Sequence, residues 1–327
     1  MNKEYIIELN KIEQQQLFVV ASEITASPSL EHIQFCEQSK KASVKIPERI
    51  KDILLHFVRF GRYGSIHGFL LLKNVPIIEK GLEIPLSPLN NNYKIGEQTI
   101  LAKIQSMFLH IMGEMVSYEA EGYGRLFQDL VPVQTMAKEQ TSIGSVELEI
   151  HTEQAFSKLR PDILSLACIR GDITANTFIL SLHEIKKNIS HEEWKLLHQP
   201  FWKTGVDKSF KLNGNEFIEG DIRGPLSIIQ DNCLVFDQDL MFGITEESTK
   251  LMNKIVDIYY KKRITHNLLP GEIVFIDNRN ALHGRSTFYP KYDGYDRFLI
   301  RCFAIFNYDH TSYAREGDSH MIRAIYS

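Results

Sequence analysis

The N-terminal part of the chain carries apolar residues at helical spacing. Pro47 suits the first turn of a helix, and the residues after it predict a helix with an apolar stripe of Ile50, Ile53, Leu54 and Phe57. Residues 68–75 form a continuous apolar run that is typical of a buried strand. A second helix is predicted over residues 99–116, with an inner side of Leu101, Ile104, Phe108, Ile111 and Met115. Residues 1–120 are therefore predicted to be mainly helical.

From about residue 121 onward, short apolar runs alternate with turn residues. The runs are LFQDLVPV, SVELEI, DILSLACI, TFILSL, LSIIQ, CLVFDQDL, EIVFIDN and FLIRCFAIFNY. Many short strands favour a jelly roll or another β-sandwich. One long helix is predicted near residues 246–263, burying Leu251, Ile255 and Ile258. No Gly-, Pro- or Ser-rich linker divides the chain, so residues 1–327 are predicted to form one domain, mainly β with flanking helices, whose jelly-roll core spans residues 121–327.

Composition narrows the class of protein. The 327 residues carry a net charge of −4 and the pI is near 6.3, which gives no basic footprint for a nucleic acid. No apolar run is long enough to span a membrane, and the charged N-terminus lacks the apolar segment of a signal peptide. The 4 cysteines stand singly, which suits a reducing compartment. We expect a cytoplasmic protein without nucleic-acid or membrane partners; homo-oligomer formation stays open.

The most specific chemical signal is a close pair, His151 and Glu153, with a distant partner, His283. Residues 145–150 are predicted to form a strand, and because positions i and i+2 of a strand share a face, the pair should aim at one point. His283 follows a second apolar strand, residues 272–276. Two imidazoles and one carboxylate are the ligands of the facial triad in non-haem Fe(II) oxygenases. The alternative is a set of polar strand-end residues, since an isolated H-x-E is common.

Three arginines follow His283 closely along the chain: Arg285, Arg297 and Arg301. Arg297 and Arg301 are four apart and therefore share a face on a helix or on a strand. Two guanidiniums directed into one cavity would suit ligands that carry two carboxylates. A solvated basic edge is the alternative.

An acidic pair, Asp237 and Asp239, lies among apolar residues in VFDQDLM. On a strand the two would share a face, and burying them is costly unless a cation compensates. A substrate ammonium or guanidinium would be such a cation. The alternative places both carboxylates in solvent, just past the end of the strand. Glu119 and Glu121 are further candidates for the same pocket.

These motifs together resemble the clavaminate synthase-like branch of the Fe(II)/2-oxoglutarate-dependent dioxygenases. The resemblance runs in motif order from about residue 120 to residue 301 and includes EAEGYGRLFQDLVPV, SIGSVELEIHTEQAFSKLRPDILSLACIRGD, LVFDQDLMFGI, PGEIVFIDNRNALHGRSTF and GYDRFLIRCF. H-x-E in place of the commoner H-x-D is itself a mark of this branch. Within it, the chain is similar to bacterial hydroxylases of free L-lysine, and more distantly to those of free L-arginine.

The resemblance implies a distorted double-stranded β-helix, Fe(II) as the metal, and 2-oxoglutarate and O2 as co-substrates. It implies that the iron ligands are His151, Glu153 and His283. Arg297 would bind the C5 carboxylate of 2-oxoglutarate, with Thr177 as a helper. The residues expected to face the amino-acid substrate are Arg301 at its α-carboxylate, Asp237 and Asp239 at its basic end, and Glu121 and Glu153 beside it.

The activity implied is hydroxylation of free L-lysine at C3 or C4, with 2-oxoglutarate converted to succinate and CO2. An L-arginine hydroxylase of the same family is one alternative. A non-catalytic β-barrel protein that binds a small molecule is another. Residues 134–142 form a polar loop that would be either a lid over the site or a plain surface loop.

Overall fold

Helices form mainly in the N-terminal part of the chain. The structure is a computed structural model that describes residues 4–59, 64–207 and 222–326. The helices of these residues are α1 (Lys11–Ser22), α2 (His32–Ser43), α3 (Glu48–Arg59), α4 (Ile100–Met112), α5 (Leu182–Lys187), α6 (His191–Leu196) and α7 (Glu246–Lys262). None of these helices is long and apolar enough to cross a membrane.

Strands dominate the rest of the described chain. They are β1 (Ile6–Glu8), β2 (Phe69–Lys73), β3 (Glu114–Tyr118), β4 (Gln128–Leu130), β5 (Leu148–His151), β6 (Ile163–Arg170), β7 (Asn176–Ser181), β8 (Trp202–Gly205), β9 (Ile222–Leu226), β10 (Ile229–Gln230), β11 (Cys233–Leu234), β12 (Met241–Gly243), β13 (Ile264–Asn267), β14 (Ile273–Asp277), β15 (Ala281–Arg285), β16 (Phe298–Ile305) and β17 (Met321–Ile322).

Two of the sheets position the site. The large sheet has the order β1-β2-β14-β6-β16-β3-β17, with β4 also paired to β16, and the small sheet has the order β13-β7-β15-β5. Leu164, Val274 and Leu299 of the large sheet share a buried cluster with Ile179 and Ala281 of the small sheet. The two sheets therefore pack face to face, as in a β-sandwich.

Helices cover the outer faces of both sheets. Alternate residues of the large sheet, such as Phe275 and Ile300, pack against α1–α4 in a second buried cluster. Phe178 and Leu282 of the small sheet pack against Ile255 of α7. The large sheet is therefore buried on both faces, by helices on one side and by the small sheet on the other. Because neighbouring residues of a strand face opposite sides, both sets of side chains are apolar and the strands read as nearly continuous apolar runs.

The predicted helix stripes are confirmed, but one predicted boundary is wrong. Ile50, Ile53, Leu54 and Phe57 are buried on α3, and Leu251, Ile255 and Ile258 are buried on α7. The helix predicted for residues 99–116 ends at Met112, because Gly113 is extended and β3 starts at Glu114. Met115 is therefore a buried strand residue, opposite Ala304 of β16.

Two strands near the site are shorter than predicted. The strand predicted for residues 145–150 begins at Leu148, because the amide and hydroxyl of Ser145 bond to the Ala137 carbonyl in a turn. The strand predicted within CLVFDQDL ends at Leu234. All four cysteines (Cys36, Cys168, Cys233 and Cys302) are free thiols.

Candidate active site

His151 and His283 face each other on neighbouring strands of the small sheet. β5 and β15 are antiparallel, and their register pairs His283 directly with His151, so that the ring centroids lie 4.3 Å apart. Glu153 lies just past the end of β5; its Oε2 is 3.4 Å from Nε2 of His283 and 4.0 Å from Nε2 of His151. One potential ligand atom from each residue lies within 4.8 Å of the others. Among the described residues, no other group of three His, Cys, Asp or Glu is arranged in this way.

Hydrogen bonds orient the His151 ring and hold the main chain at Glu153. Nδ1 of His151 lies 2.8 Å from the Glu149 carbonyl, so Nδ1–H donates and Nε2 keeps its lone pair towards Glu153. The Glu153 amide donates to Oδ1 of Asn278 over 2.7 Å, and Nδ2 of Asn278 donates back to the Glu153 carbonyl over 3.1 Å. Asn278 is fully buried and was not singled out from the sequence.

The protonation states suit a metal ion. Burial, together with the neighbouring His151, lowers the pKa of His283 to about 4, so its imidazole is neutral at neutral pH. Burial alone would raise the pKa of Glu153, but Arg301 and the two histidines lower it to about 2. Neutral imidazoles and a carboxylate are the species that coordinate Fe(II), and Nε2 of both histidines lies within 4.0 Å of Oε2 of Glu153. The residues present therefore fit an iron ion.

A cavity of about 650 Å³ opens beside the three ligand atoms. With the exception of Glu119, the residues proposed from the sequence for co-substrate and substrate line it: Glu121, Glu153, Thr177, Asp237, Asp239, Arg297 and Arg301. Glu119 does not belong to this wall, because its carboxylate accepts hydrogen bonds from Arg323 and from the Ala324 amide. The expectation that Glu119 lies at the pocket is therefore wrong.

Arg297 and Thr177 line one part of the cavity. Arg297 is only 6% exposed, yet it forms no salt bridge within the described chain, and its guanidinium carbon lies 5.9 Å from the centre of the Phe288 ring. Burial lowers the pKa of Arg297 to about 10, which still leaves the guanidinium charged at neutral pH. A buried, unpaired cation in a cavity is a binding site for an anion.

Arg301 sits in a buried network beside the triad. Its Nη1 donates to Oε1 of Glu153 over 2.9 Å, its Nη2 donates to Oε1 of Glu121, and both Nε and Nη2 donate to Oε1 of Gln128. The other oxygen of Glu121 accepts from Nε2 of Gln154 over 2.9 Å. Gln128 and Gln154 line the cavity and were missed in the sequence, where a lone glutamine gives no signal.

Several further carboxylates line the cavity. Asp237 and Asp239 lie beyond β11, so the argument that they share a face of a strand is wrong; Asp237 instead forms an isolated bridge with His151, and Asp239 follows in a turn. Asp207 and Glu149 also line the cavity and were missed. Burial raises the pKa of Asp237 to about 6, and the charges of Asp207 and Asp239 act in the same direction.

The loop of residues 134–142 borders the cavity and is tied to the neighbouring strand. Gln140 donates from Nε2 to the Glu147 carbonyl over 2.8 Å and accepts from the Glu149 amide over 3.1 Å. Met136 and Ser142 contribute to the cavity wall. Whether this loop moves as a lid stays a prediction.

Gly284 separates His283 from Arg285 on β15, and no other residue would fit there. A Cβ atom at this position would lie 2.7 Å from the Leu148 carbonyl oxygen and 2.8 Å from the Tyr259 hydroxyl of α7. Such separations are too short for real Cβ atoms. The glycine therefore lets β15 lie close to both β5 and α7.

Comparisons with known proteins agree with this site. The family model "Taurine catabolism dioxygenase TauD, TfdA family" matches residues 188–303. The chain is 39% identical to an L-lysine 3-hydroxylase of Catenulispora acidiphila over 98% of this chain and 90% of that protein. It is 30% identical to an L-asparagine oxygenase of Streptomyces coelicolor, covering 81% of this chain and 79% of the relative.

The fold also matches a solved oxygenase. A crystal structure of asparagine oxygenase with Fe(II), a 3-hydroxyasparagine and succinate superposes with a TM-score of 0.88 at 27% identity, over 98% of this chain and 99% of the other. The fold is thus of the jelly-roll type found in these oxygenases, and the alternative of a non-catalytic binding protein is excluded. The chain is an enzyme that uses Fe(II), 2-oxoglutarate and O2, and it belongs to the clavaminate synthase-like branch of the Fe(II)/2-oxoglutarate-dependent dioxygenases.

Proposed function

We propose that this enzyme hydroxylates free L-lysine at C3, giving 3-hydroxy-L-lysine, succinate and CO2. One observation carries the proposal: the cavity beside the triad is lined both by a buried guanidinium, Arg301, and by a group of carboxylates that includes Asp207, Asp237 and Asp239. This charge pattern complements an amino acid with a carboxylate at one end and a cation at the other. The 39% identity to an L-lysine 3-hydroxylase supports the same substrate.

We assign the iron to His151, Glu153 and His283. Fe(II) bound there would activate O2. The activation is coupled to the oxidative decarboxylation of 2-oxoglutarate, and it allows an unactivated C–H bond of the substrate to be oxidised. We assign the C5 carboxylate of 2-oxoglutarate to Arg297, because this guanidinium is buried in the cavity wall and forms no salt bridge with a described residue. The buried Thr177 on β7 offers a hydroxyl to the same carboxylate.

Arg301 is assigned to the substrate α-carboxylate. Its hydrogen bonds to Glu153, Glu121 and Gln128 leave one N–H group of Nη1 for a ligand. Glu121 is assigned to the α-ammonium group, because a buried carboxylate at the cavity wall is the partner that a primary ammonium requires.

The position of Arg301 favours C3 over C4. Its guanidinium is hydrogen-bonded to Glu153, one of the proposed iron ligands, over 2.9 Å. A carboxylate bound to Arg301 therefore brings the α end of the substrate, rather than its basic end, close to the metal. C3 is the first methylene carbon from that end, and selective oxidation requires the target carbon to be held close to its reacting position.

Asp237 and Asp239 are assigned to the ε-ammonium of lysine, with Asp207 as a third carboxylate of the same wall. Asp237 forms no salt bridge within the described residues, and its Oδ1 accepts only the Leu240 amide over 2.8 Å. A buried carboxylate in this state is stabilised when a cation arrives. Lysine presents a compact charge that separate carboxylates can surround, whereas a guanidinium prefers a planar pair of oxygens.

The finer architecture is also proposed. The two facing sheets and their covering helices support a distorted double-stranded β-helix, with residues 1–327 as a single dioxygenase domain. Continuous buried clusters join the helices of the first part to the large sheet, which supports one domain rather than two.

Product analysis tests the function directly. Purified protein would be incubated with Fe(II), 2-oxoglutarate and ascorbate, in parallel with L-lysine, L-arginine, L-ornithine and L-asparagine, and succinate and product mass would be measured. We expect addition of one oxygen atom to L-lysine with matching succinate, and a product NMR spectrum with the new hydroxyl at C3. Preferred turnover of L-arginine would establish the alternative substrate, and a hydroxyl at C4 would refute the argument from Arg301.

A further inference from the structure

Arg285 is a buried cation in the cavity wall that none of the assignments above uses. It is 4% exposed and lies on β15, two residues after His283. Its Nη1 donates to the Ser142 carbonyl over 3.1 Å and its Nη2 to the Val146 carbonyl over 2.8 Å. Through these two hydrogen bonds, Arg285 joins β15, which bears His283, to the loop that leads into β5.

This loop forms part of the cavity wall. Met136, Gln140 and Ser142 line the cavity, and so does Arg285 itself. The loop is held from within by the Ser145 and Val146 amides, which both donate to the Ala137 carbonyl. Among the described residues, Arg285 alone donates side-chain hydrogen bonds to the Ser142 and Val146 carbonyls.

Arg285 also lies close to Arg297. Both guanidiniums approach the Phe288 ring, at 4.8 Å for Arg285 and 5.9 Å for Arg297. Both groups are guanidiniums and are therefore cations at neutral pH. Neither forms a salt bridge in the part of the chain that the structure describes. Two buried like charges repel each other, and a dianion placed between the loop and Phe288 relieves that repulsion.

We propose that Arg285 is a positioning residue for 2-oxoglutarate: it holds residues 142–146 as the wall of the co-substrate pocket next to Arg297. The inference rests on the proposed role of Arg297. Arg285 acts through the loop and through its charge, while its Nη1 and Nη2 stay on the two loop carbonyls and its Nε donates to the Ser286 carbonyl over 3.4 Å. Its effect is therefore specific to the co-substrate, because the residues assigned to lysine belong to other segments of the chain.

The test compares Arg285→Lys with Arg297→Ala and with a matched control, Arg315→Lys. Arg315 also bonds main-chain carbonyls, those of Ser319 and Tyr308, and lies over an aromatic ring, but it does not line the cavity. We expect Arg285→Lys to weaken calorimetric binding of 2-oxoglutarate to the Mn(II)-loaded protein by about tenfold or more. The KM for L-lysine should stay within about twofold, and Arg315→Lys should change neither quantity.

Hydrogen exchange gives a readout that does not depend on catalysis. The Gly144, Ser145 and Val146 amides should exchange faster in metal-free Arg285→Lys than in the metal-free wild-type protein. In the wild-type protein, 2-oxoglutarate with Mn(II) should slow these amides, whereas L-lysine with Mn(II) should not. This wild-type comparison remains decisive if the variant is unstable, because absence of slowing overturns the inference.

The outcomes separate the two proposals. If Arg297→Ala weakens 2-oxoglutarate binding and Arg285→Lys does not, the inference is wrong and the assignment of Arg297 stands. If Arg297→Ala leaves binding unchanged, the pocket is elsewhere and both proposals fail. A rise in the KM for L-lysine equal to that for 2-oxoglutarate would show that Arg285 supports the whole site rather than the co-substrate pocket, which also overturns the inference.

Discussion

Arg301 and Glu153 share a buried hydrogen bond of 2.9 Å, from Nη1 of the guanidinium to Oε1 of the carboxylate. The other carboxylate oxygen, Oε2, faces the two histidines. One proposed iron ligand is thus in direct contact with the group proposed to bind the substrate carboxylate. Substrate binding at Arg301 must therefore alter the charge felt by Glu153, because both groups lie in a low-dielectric interior.

His151→Ala should abolish turnover, because it removes one of three proposed metal ligands. We expect a loss of activity of about a hundredfold or more and weaker binding of Co(II), which is followed by its absorption spectrum. His191→Ala, on the exposed start of α6, is the control and should behave as the wild type. Unchanged Co(II) binding by His151→Ala would remove this residue from the metal site.

Arg297→Ala should raise the 2-oxoglutarate requirement far more than the lysine requirement. Loss of a buried partner for a carboxylate costs about 2 kcal/mol or more, which corresponds to a rise of about thirtyfold in the KM for 2-oxoglutarate. Steady-state kinetics with each substrate varied in turn would measure this. A larger rise in the KM for lysine would mean that the roles of Arg297 and Arg301 are exchanged.

Asp237→Asn should weaken lysine binding while the slow decay of 2-oxoglutarate without substrate stays largely intact. The amide keeps the shape of the side chain but loses the charge that an ammonium group requires, so we expect about a tenfold rise in the KM for lysine. Asp257→Asn, on the exposed side of α7, is the control. An unchanged KM for lysine in Asp237→Asn would exclude the residue from the substrate site.

Glu272 should make the protein sensitive to acid. This carboxylate is 3% exposed and ties the sheets together, since it bonds His266 of β13 over 2.7 Å and Lys73 of β2 over 3.1 Å. Burial alone would raise the pKa of Glu272, but the contacts with His266, the Leu269 amide and Lys73 lower it below its ordinary value of 4.5. A lowered pKa in the folded state stabilises the fold above the unfolded pKa, and this contribution is lost as the pH falls through the folded pKa.

Glu272→Gln measures that contribution. We expect the variant to lower the free energy of unfolding at pH 7 by about 1–3 kcal/mol. The difference from the wild type should shrink as the pH falls below 4.5, because protonation of Glu272 removes the same charge from the wild-type protein. Urea unfolding at several pH values would detect this, and a difference that is constant with pH would contradict it.

The pattern of apolar residues was sufficient to predict the buried faces of the helices and the class of fold, because buried positions recur with the periodicity of the helix or strand that carries them. It did not place the end of α4, where Gly113 stops the helix although apolar residues continue into β3. Nor did it show that the strand before Asp237 ends at Leu234, because that depends on main-chain bonds to residues distant in sequence, such as the bond from the Leu234 amide to the Arg279 carbonyl.

For the active site, too, the sequence predicted some of the residues and missed others. His151 and Glu153 lie close together as predicted, but Glu153 lies past the end of β5, so the alternation of a strand does not account for the pair. The approach of His283 was implied by the family motifs rather than by any local pattern. Gln128, Asp207 and the anchoring of Glu153 by Asn278 could not be predicted, because each is a single polar residue whose role appears only when separate strands meet. The bond between Arg301 and Glu153 joins residues 148 positions apart and has no signature along the chain.

Gly284 limits how this enzyme can be re-engineered. Even a methyl group there would push apart the strand that bears His283 and Arg285, its partner strand and the helix behind it. Library mutagenesis aimed at new substrates should therefore leave Gly284 unchanged. Variation is better tolerated on the acidic wall, where Asp239 lies in a turn instead of a sheet and a change of side chain need not shift the backbone.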